Sequence, residues 1–427
     1  MKLESSATSA RSSTTSSTIN LPTSRNATDM MDKPPRDVIY FNNSGKTALP
    51  RSVQRAGELA LGRECQPWEP QTSCTEEIRT LFAHIVHASS DDIAIVPSTG
   101  FAMTMFANNI FRESSGGVKK VLILQDEMSS EIYAWQQSQP FPNVQVDFLI
   151  VPHPTSEQGW TPLIMSCLEE HHVDVCCLPQ VHWSDGSYID LTRIGHYCSD
   201  HQIIFIVDGT QSVGIMPMDV ERIKCDALAC SVHKWLLGPH GMSLVYIHPK
   251  YHDTWLPLDQ HERSRSIFQD EVYDATENNI DEKGYPAEFV CGARRCDSGG
   301  KNNPILEPMI CEGLRIVNAI QLDSAQSYLK RITDQILEGG KSIGFDVQPG
   351  PRCSHIIGLR PKSPEFVQYL TPEMMVQVAN KLKENNIFLA VRCGAFRISP
   401  YLKSTSDDVD QLIEALELEC RSIVKDC

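Results

Sequence analysis

Seven short apolar runs recur along the middle of the chain: Ile93–Val96, Val121–Leu124, Val146–Val151, Val173–Leu178, Ile203–Val207, Ala227–Ala229 and Leu244–Ile247. Amphipathic stretches of helix length separate them. Strands spaced in this way predict βαβ units and a mostly parallel, seven-stranded sheet. The result is an α/β core of about 250 residues, close to the size at which a single core stops growing. The runs are also far shorter than the roughly 20 apolar residues needed to span a bilayer, so they read as buried strands and not as membrane segments.

The flanks differ in kind. Residues 1–33 are dominated by Ser and Thr without apolar periodicity, which predicts a disordered tail unable to offset its chain entropy. The tail lacks the apolar centre of a secretory signal, and Asp29 and Asp32 speak against a mitochondrial presequence. On that reading the sequons at Asn26 and Asn42 are chance matches. The stretch Tyr251–Phe289 is polar and irregular, with Pro257, Gly284 and Pro286, and predicts an excursion or boundary loop. A helix is expected from about Pro304. Further helices at 325–337, 372–384 and 406–419 flank short strands, which predicts a smaller α+β domain over residues 304–427.

The formal net charge of −16 argues against the basic surface that nucleic acid or an acidic membrane would require. A small-molecule substrate is expected instead. The fifteen cysteines are scattered, odd in number and without a CxxC pair, as expected of free thiols in a reducing, cytoplasmic setting. Glu169, Glu170, His171 and His172 sit where a helix ends before a strand and lack the regular spacing of metal ligands, so no metal is expected.

The chemistry concentrates at strand ends. Val207-Asp208-Gly209-Thr210-Gln211 brings an acid to the carboxyl end of a strand, the edge at which α/β sheets bind ligands. Such an Asp either caps the following turn or pairs with a protonated pyridine nitrogen. A second short strand ends 23 residues later in Ser231-Val232-His233-Lys234-Trp235, followed by Gly238-Pro239-His240-Gly241. A lysine just beyond a strand and beside a glycine-rich turn is placed for burial, and burial favours the neutral amine that Schiff-base chemistry needs. Ser231 and His233 offer donors suited to a phosphate. Upstream, Ser98-Thr99-Gly100-Phe101-Ala102 opens a helix, where free N–H groups and hydroxyls suit an anion or a simple cap.

Taken in this order, DxxQ, SxHK and GPxG resemble the class V aminotransferase and cysteine desulfurase family of fold type I enzymes, dependent on pyridoxal 5′-phosphate (PLP), over roughly residues 38–420. The resemblance implies that Lys234 forms the internal aldimine, that Asp208 bonds the pyridine nitrogen and that Gln211 reaches the ring hydroxyl. It also implies phosphate contacts from Ser98, Thr99, Gly100, Ser231 and His233. Tyr40–Gly45 looks like the family's N-terminal YxNNAG segment over the active site, with Asn43 at the substrate. Val391–Pro400 resembles the small-domain segment whose arginine grips the substrate carboxylate, a task suited to a guanidinium fork. Arg397 is favoured for it over Arg392. The implied organisation is an N-terminal segment at 34–60 near the active site and small domain, a large PLP-binding domain at 61–303, the small domain beyond, and a homodimer.

The pattern also departs from the family. Met128, in Glu127–Glu131, stands where relatives stack a histidine or other ring on the cofactor, and a thioether packs but shuttles no proton. Asp185 replaces the residue that usually bonds the ring hydroxyl. Between Arg392 and Arg397 only Cys393-Gly394-Ala395-Phe396 intervene, too few for the flexible arm that carries a desulfurase cysteine. Gly300 stands in place of a threonine that reaches the neighbouring subunit's phosphate, leaving Ser298 or Arg295 for that contact. These departures favour lyase or carbon-skeleton chemistry on an amino acid or its derivative. Transamination, desulfuration or C–S cleavage, and a catalytically idle scaffold are the alternatives.

Overall fold

The computed structural model describes residues 38–69, 73–114, 116–136, 141–265, 289–299 and 303–425. The Ser/Thr-rich segment at 1–33, residues 266–288 of the expected excursion, and Gly300 lie outside the described residues.

A two-residue strand, β1 (Ile39–Tyr40), precedes the seven expected ones, β2 (Ile93–Val96), β3 (Gly117–Leu124), β4 (Val144–Val151), β5 (Val175–Pro179), β6 (Ile204–Asp208), β7 (Ala227–Ser231) and β8 (Ser243–Ile247). These seven form one sheet in the order β2-β8-β7-β6-β5-β3-β4. Its strands are parallel from β4 to β7, whereas β8 runs antiparallel to both β7 and β2.

Alternate residues of each strand enter two different cores. Leu122, Cys176, Leu178, Phe205, Val207 and Leu228 pack on one face, and Val121, Val175, Cys177, Ile206, Ala227 and Ala229 on the other. This two-sided burial explains why the strands read as unbroken apolar runs and not as alternating ones. Each Val, Ile or Leu so enclosed contributes roughly 1.5–3 kcal/mol.

The C-terminal part contains β9 (Phe345–Asp346), β10 (Ile357–Pro361), β11 (Ile387–Phe388), β12 (Ala390–Arg392) and β13 (Ala395–Ile398). Four of them form an antiparallel sheet in the order β12-β13-β10-β9. The helices Pro372–Glu384 and Ser406–Lys425 cover it, with Leu359, Val378, Leu382, Phe396, Leu412 and Leu416 in a third core. β1 pairs in parallel with β11, so the start of the described chain joins this C-terminal unit.

Packing draws the divisions differently from the expected ones at 60/61 and 303/304. The helix Arg51–Glu64 runs through residue 60, and its Val53 belongs to the large-sheet core. The helix Leu306–Asn318 puts Ile310, Cys311 and Leu314 into that same core. The change-over falls inside the long helix Leu322–Ser342, whose Ala325 and Leu329 face the large core and whose Ile332 and Ile336 face the small one. Amphipathic spacing identifies such a helix but not which core it serves. No described helix is long and apolar enough to cross a membrane. The described cysteines are all free, and no metal-ligand cluster occurs among the described residues.

Candidate active site

The carboxyl ends of β5, β6 and β7 lie side by side, with Pro179 opposite Asp208 and Asp208 opposite Ala229. Asp208 is buried, and its Oδ1 accepts the Thr210 N–H at 2.7 Å. The turn after β7 delivers Lys234 beside it. Burial brings the Lys234 ammonium down to about 8 against the pull of Asp208, and the Arg397 guanidinium adds to the fall. The amine forms no hydrogen bond or ion pair among the described residues.

Next to this pair the helix Thr99–Glu113 begins. Ser98 is its N-cap and accepts the Phe101 N–H at 3.1 Å. The amides of Thr99 and Gly100 are left without an acceptor among the described residues, as the first turn of a helix dictates. Thr99 Oγ1 meets Ser231 Oγ at 2.7 Å and Ser243 Oγ at 3.4 Å. A Cβ added at Gly100 would find nothing nearer than 3.8 Å, so the cradle is open at that point. Its hydroxyls and amides, set on a helix N-terminus, form a receptor for an anion. His233 stacks on His240 with ring centroids 3.8 Å apart, and burial with the nearby cations lowers its imidazolium to about 4.

Gln211 is committed at both ends. Its amide donates to the Ser44 carbonyl at 3.1 Å, and its Oε1 accepts the Trp235 indole N–H at 3.0 Å. One amide proton remains for another acceptor. Ser44 in turn meets Ser399 through its N–H and hydroxyl, which laces the N-terminal segment between the two units.

Arg397, on β13, is 3% exposed and has no carboxylate partner among the described residues. Its Nη1 donates to the Trp183 carbonyl at 3.1 Å and its Nη2 to Asn42 Oδ1 at 3.2 Å, while Nε is buried without a partner among the described residues. Burial and the neighbouring Arg392 lower it to about 10. A buried, uncompensated guanidinium is costly unless an anion completes it. Arg392 is exposed, and among the described residues its guanidinium donates only to the Val391 carbonyl.

Several of the expected residues make contacts within the chain that the sequence did not disclose. Asn43 spends its amide on the Ser399 carbonyl at 2.9 Å, so it is Asn42 that reaches Arg397. Asp185 is held by Arg360 at 3.1 Å and by the Ser187 N–H and hydroxyl at 3.0 and 2.8 Å. Burial opposes ionisation of Asp185, but His182, Arg360 and Ser187 outweigh it and keep the carboxyl below its ordinary range. Its charge is therefore neutralised within the protein. Arg295 is buried against Phe289 and the Val290 carbonyl of its own chain, and the Ser298 N–H donates to the Ile95 carbonyl. Met128 is half-buried, and its N–H donates to Glu127 Oε1.

Cys393 and Gly394 form a two-residue turn between β12 and β13, with Arg392 opposite Ala395. Both have positive φ, 46° and 69°, the conformation of a tight hairpin turn. The Arg360 guanidinium ties down the Cys393 carbonyl, and burial pushes the Cys393 thiol up.

Sequence reasoning passed over Asn42, Arg360 and Glu131, the last lying within hydrogen-bonding reach of Asp208. Glu131 closes the same short segment that holds Met128, but only the packing of its helix on β5 and β6 reveals what it touches.

The aminotransferase class-V family matches residues 39–276. An uncharacterized aminotransferase, YcbU of Bacillus subtilis, is 23% identical over 84% of this chain and 86% of its own length. The structure resembles the cysteine desulfurase CsdA of Escherichia coli (TM-score 0.76, 16% identity, covering 92% of this chain and 98% of the other). It also resembles the cystine C–S lyase C-DES in complex with its product cysteine persulfide (TM-score 0.73, 17% identity, 90% and 98% covered). With the family match extending over more than half of its length, the chain belongs to the aminotransferase class-V family of fold type I, PLP-dependent enzymes.

Proposed function

We propose that this enzyme acts on an amino acid or amino-acid-derived substrate through lyase or carbon-skeleton chemistry, and that it works as a homodimer. The observation that carries the reading is Lys234, a desolvated amine at about 8 with no partner among the described residues, set between Asp208 and Arg397.

The residues present fit PLP. The cradle of Ser98, Thr99, Gly100 and Ser231 suits its phosphate, with His233 alongside, Asp208 suits its pyridine nitrogen, and the spare amide proton of Gln211 suits its hydroxyl. When bound, PLP supplies an electron sink for negative charge developing at a substrate carbon. The protein's own contributions are distinct. Lys234 titrates close to neutral pH, so it is able both to take a proton and to return it. The Thr210 N–H stabilises the Asp208 anion. Arg397 holds the substrate carboxylate and so fixes which bond at the substrate carbon faces the ring. Asn42 orients that guanidinium, while Asn43 and the Asp185–Arg360 pair brace the surrounding backbone.

Replacing Arg397 by alanine should raise KM for the amino acid on the order of ten- to a hundredfold, the scale of a hydrogen bond to a charged group. Arg392→Ala should change KM by less than about threefold, since exposed charges contribute little. Steady-state kinetics on both variants checks this, and a larger effect at Arg392 would reverse the assignment.

The short, tied turn at Cys393 supports a reaction that needs no mobile sulfur acceptor. Attack on sulfur requires near-contact alignment, and a thiol whose carbonyl is held by Arg360 has little freedom to swing. Cys393→Ser should therefore retain activity within a few-fold of the parent. A persulfide detected on Cys393 after incubation with cysteine, together with an inactive serine variant, would restore the desulfurase reading.

Transamination is the second reading, favoured by the similarity to a protein named as an aminotransferase. A screen of amino acids with product analysis separates the two. A keto acid formed only when a second keto acid is supplied indicates transamination, whereas release of a side-chain fragment without an acceptor indicates the lyase.

A further inference from the structure

The helix Ser129–Gln136 packs on the face of the sheet that carries Cys177 and Ile206, and it places a carboxylate in that contact. Glu131 is 1% exposed. The Cys177 thiol donates to its Oε2 at 3.8 Å, and Asp208 on β6 lies within hydrogen-bonding reach of its carboxyl. Two carboxyl groups this close and shut off from water cannot both carry charge, so a proton must lie between them.

The surroundings decide which carboxyl keeps it. Asp208 accepts the Thr210 N–H and faces the Lys234 amine, and both favour its anion. Among the described residues the side-chain hydrogen bond that Glu131 accepts comes from a thiol, a weak donor. Of its titratable neighbours, Glu127 and Asp208 oppose charge on Glu131, whereas the Cys177 thiol and the Lys234 amine favour it more weakly than burial disfavours it. Glu127, on the loop before the helix, is buried, and its Oε2 lacks a partner among the described residues. Cys177 on β5 and Cys230 on β7 are both enclosed. Burial pushes Glu127 up to about 8 and, together with Glu127 and Asp208, raises Glu131 well above the ordinary carboxyl range. At neutral pH the shared proton therefore resides on Glu131.

We propose that Glu131 is a positioning residue, a neutral carboxylic acid that donates a hydrogen bond to Asp208 and keeps that carboxylate ionised toward the cofactor's ring nitrogen. A proton donor behind Asp208 lowers its own appetite for a proton, so the ring proton stays on the ring. The effect on the cofactor rests on the role of Asp208 proposed above, whereas the neutrality of Glu131 does not.

Infrared difference spectra of the holoenzyme and its variants at neutral pH test the neutrality. The parent should show a carboxylic-acid carbonyl band that Glu131→Gln removes, beside a second one from Glu127, brought to about 8, that Glu127→Gln removes instead. Equal carboxylic-acid intensity in the parent and in Glu131→Gln would overturn the proposal. The action on Asp208 is read from the pH titration of the bound cofactor's visible absorption. Glu131→Gln still offers an N–H to Asp208 and should titrate like the parent. Glu131→Leu offers nothing and should shift the midpoint by roughly one pH unit, the scale of a hydrogen bond to a charged group. Equal midpoints in all three proteins, or a glutamine variant that follows the leucine one, would remove the positioning role. Should Glu131→Leu fail to fold, the infrared comparison with glutamine still decides whether the acid is neutral. A protein that shows the band but binds no cofactor would sink the reading of Asp208 and leave Glu131 neutral.

Discussion

Lys234→Ala is expected to lose turnover by at least a hundred- to ten-thousandfold, roughly the range for removal of a general acid–base group, and to lose its covalent hold on PLP as well. The parent holoenzyme should absorb in the near-visible, and borohydride should fix the cofactor on Lys234, where peptide mass mapping will find it. The physical basis is desolvation. An amine lowered to about 8 is partly neutral at about pH 7, and only the neutral form is a nucleophile. Capture of added PLP by the apoenzyme should accordingly quicken as pH rises toward about 8 and level off above it. A reduced adduct on any other lysine, or an alanine variant that turns over normally, would overturn the assignment.

The second large effect is expected at Asp208. Asparagine there preserves shape but removes the negative charge proposed above to hold a proton on the ring nitrogen, and with it the electron sink. Asp208→Asn should keep bound cofactor yet lose activity on the order of a hundred- to a thousandfold, as when one preorganised electrostatic partner of the transition state is removed. Cofactor content from absorbance and kcat on the same sample separate binding from chemistry. Normal turnover with full cofactor would place the electron-sink role elsewhere. Because Glu131 lies within hydrogen-bonding reach of Asp208, substitutions at Glu131 and at Asp208 should not act additively.

What the sequence disclosed follows from the range of the interactions involved. The central strands were legible because burial on both faces leaves continuous apolar runs, and the pairing of Asp208 with Lys234 was legible because both stand at the ends of such strands. β9 and β11 span two residues each, too short for any periodicity to register. Asn42 and Asn43 are adjacent, and only the register that places Asn42 against Ser399 turns one toward Arg397 and the other toward backbone. Asp185 looked like a cofactor ligand for the same reason: its neutraliser, Arg360, lies on β10, far along the chain, and no local pattern joins them. Glu131 presented itself as one more helical acid until its helix met β5 and β6.

The helix Leu322–Ser342, shared between two cores, governs how the molecule loses its structure. Melting the C-terminal half of that helix would strip Ile332 and Ile336 from the small core, and fraying would pass along one hydrogen-bonded rod to Ala325 and Leu329 in the large one. Helical order propagates cooperatively once nucleated, so the rod transmits loss of order as readily as gain. The strand pairing of Ile39–Tyr40 with Ile387–Phe388 closes a second link between the ends of the described chain. Two cores joined by a common rod and a common strap should therefore unfold as a single cooperative unit.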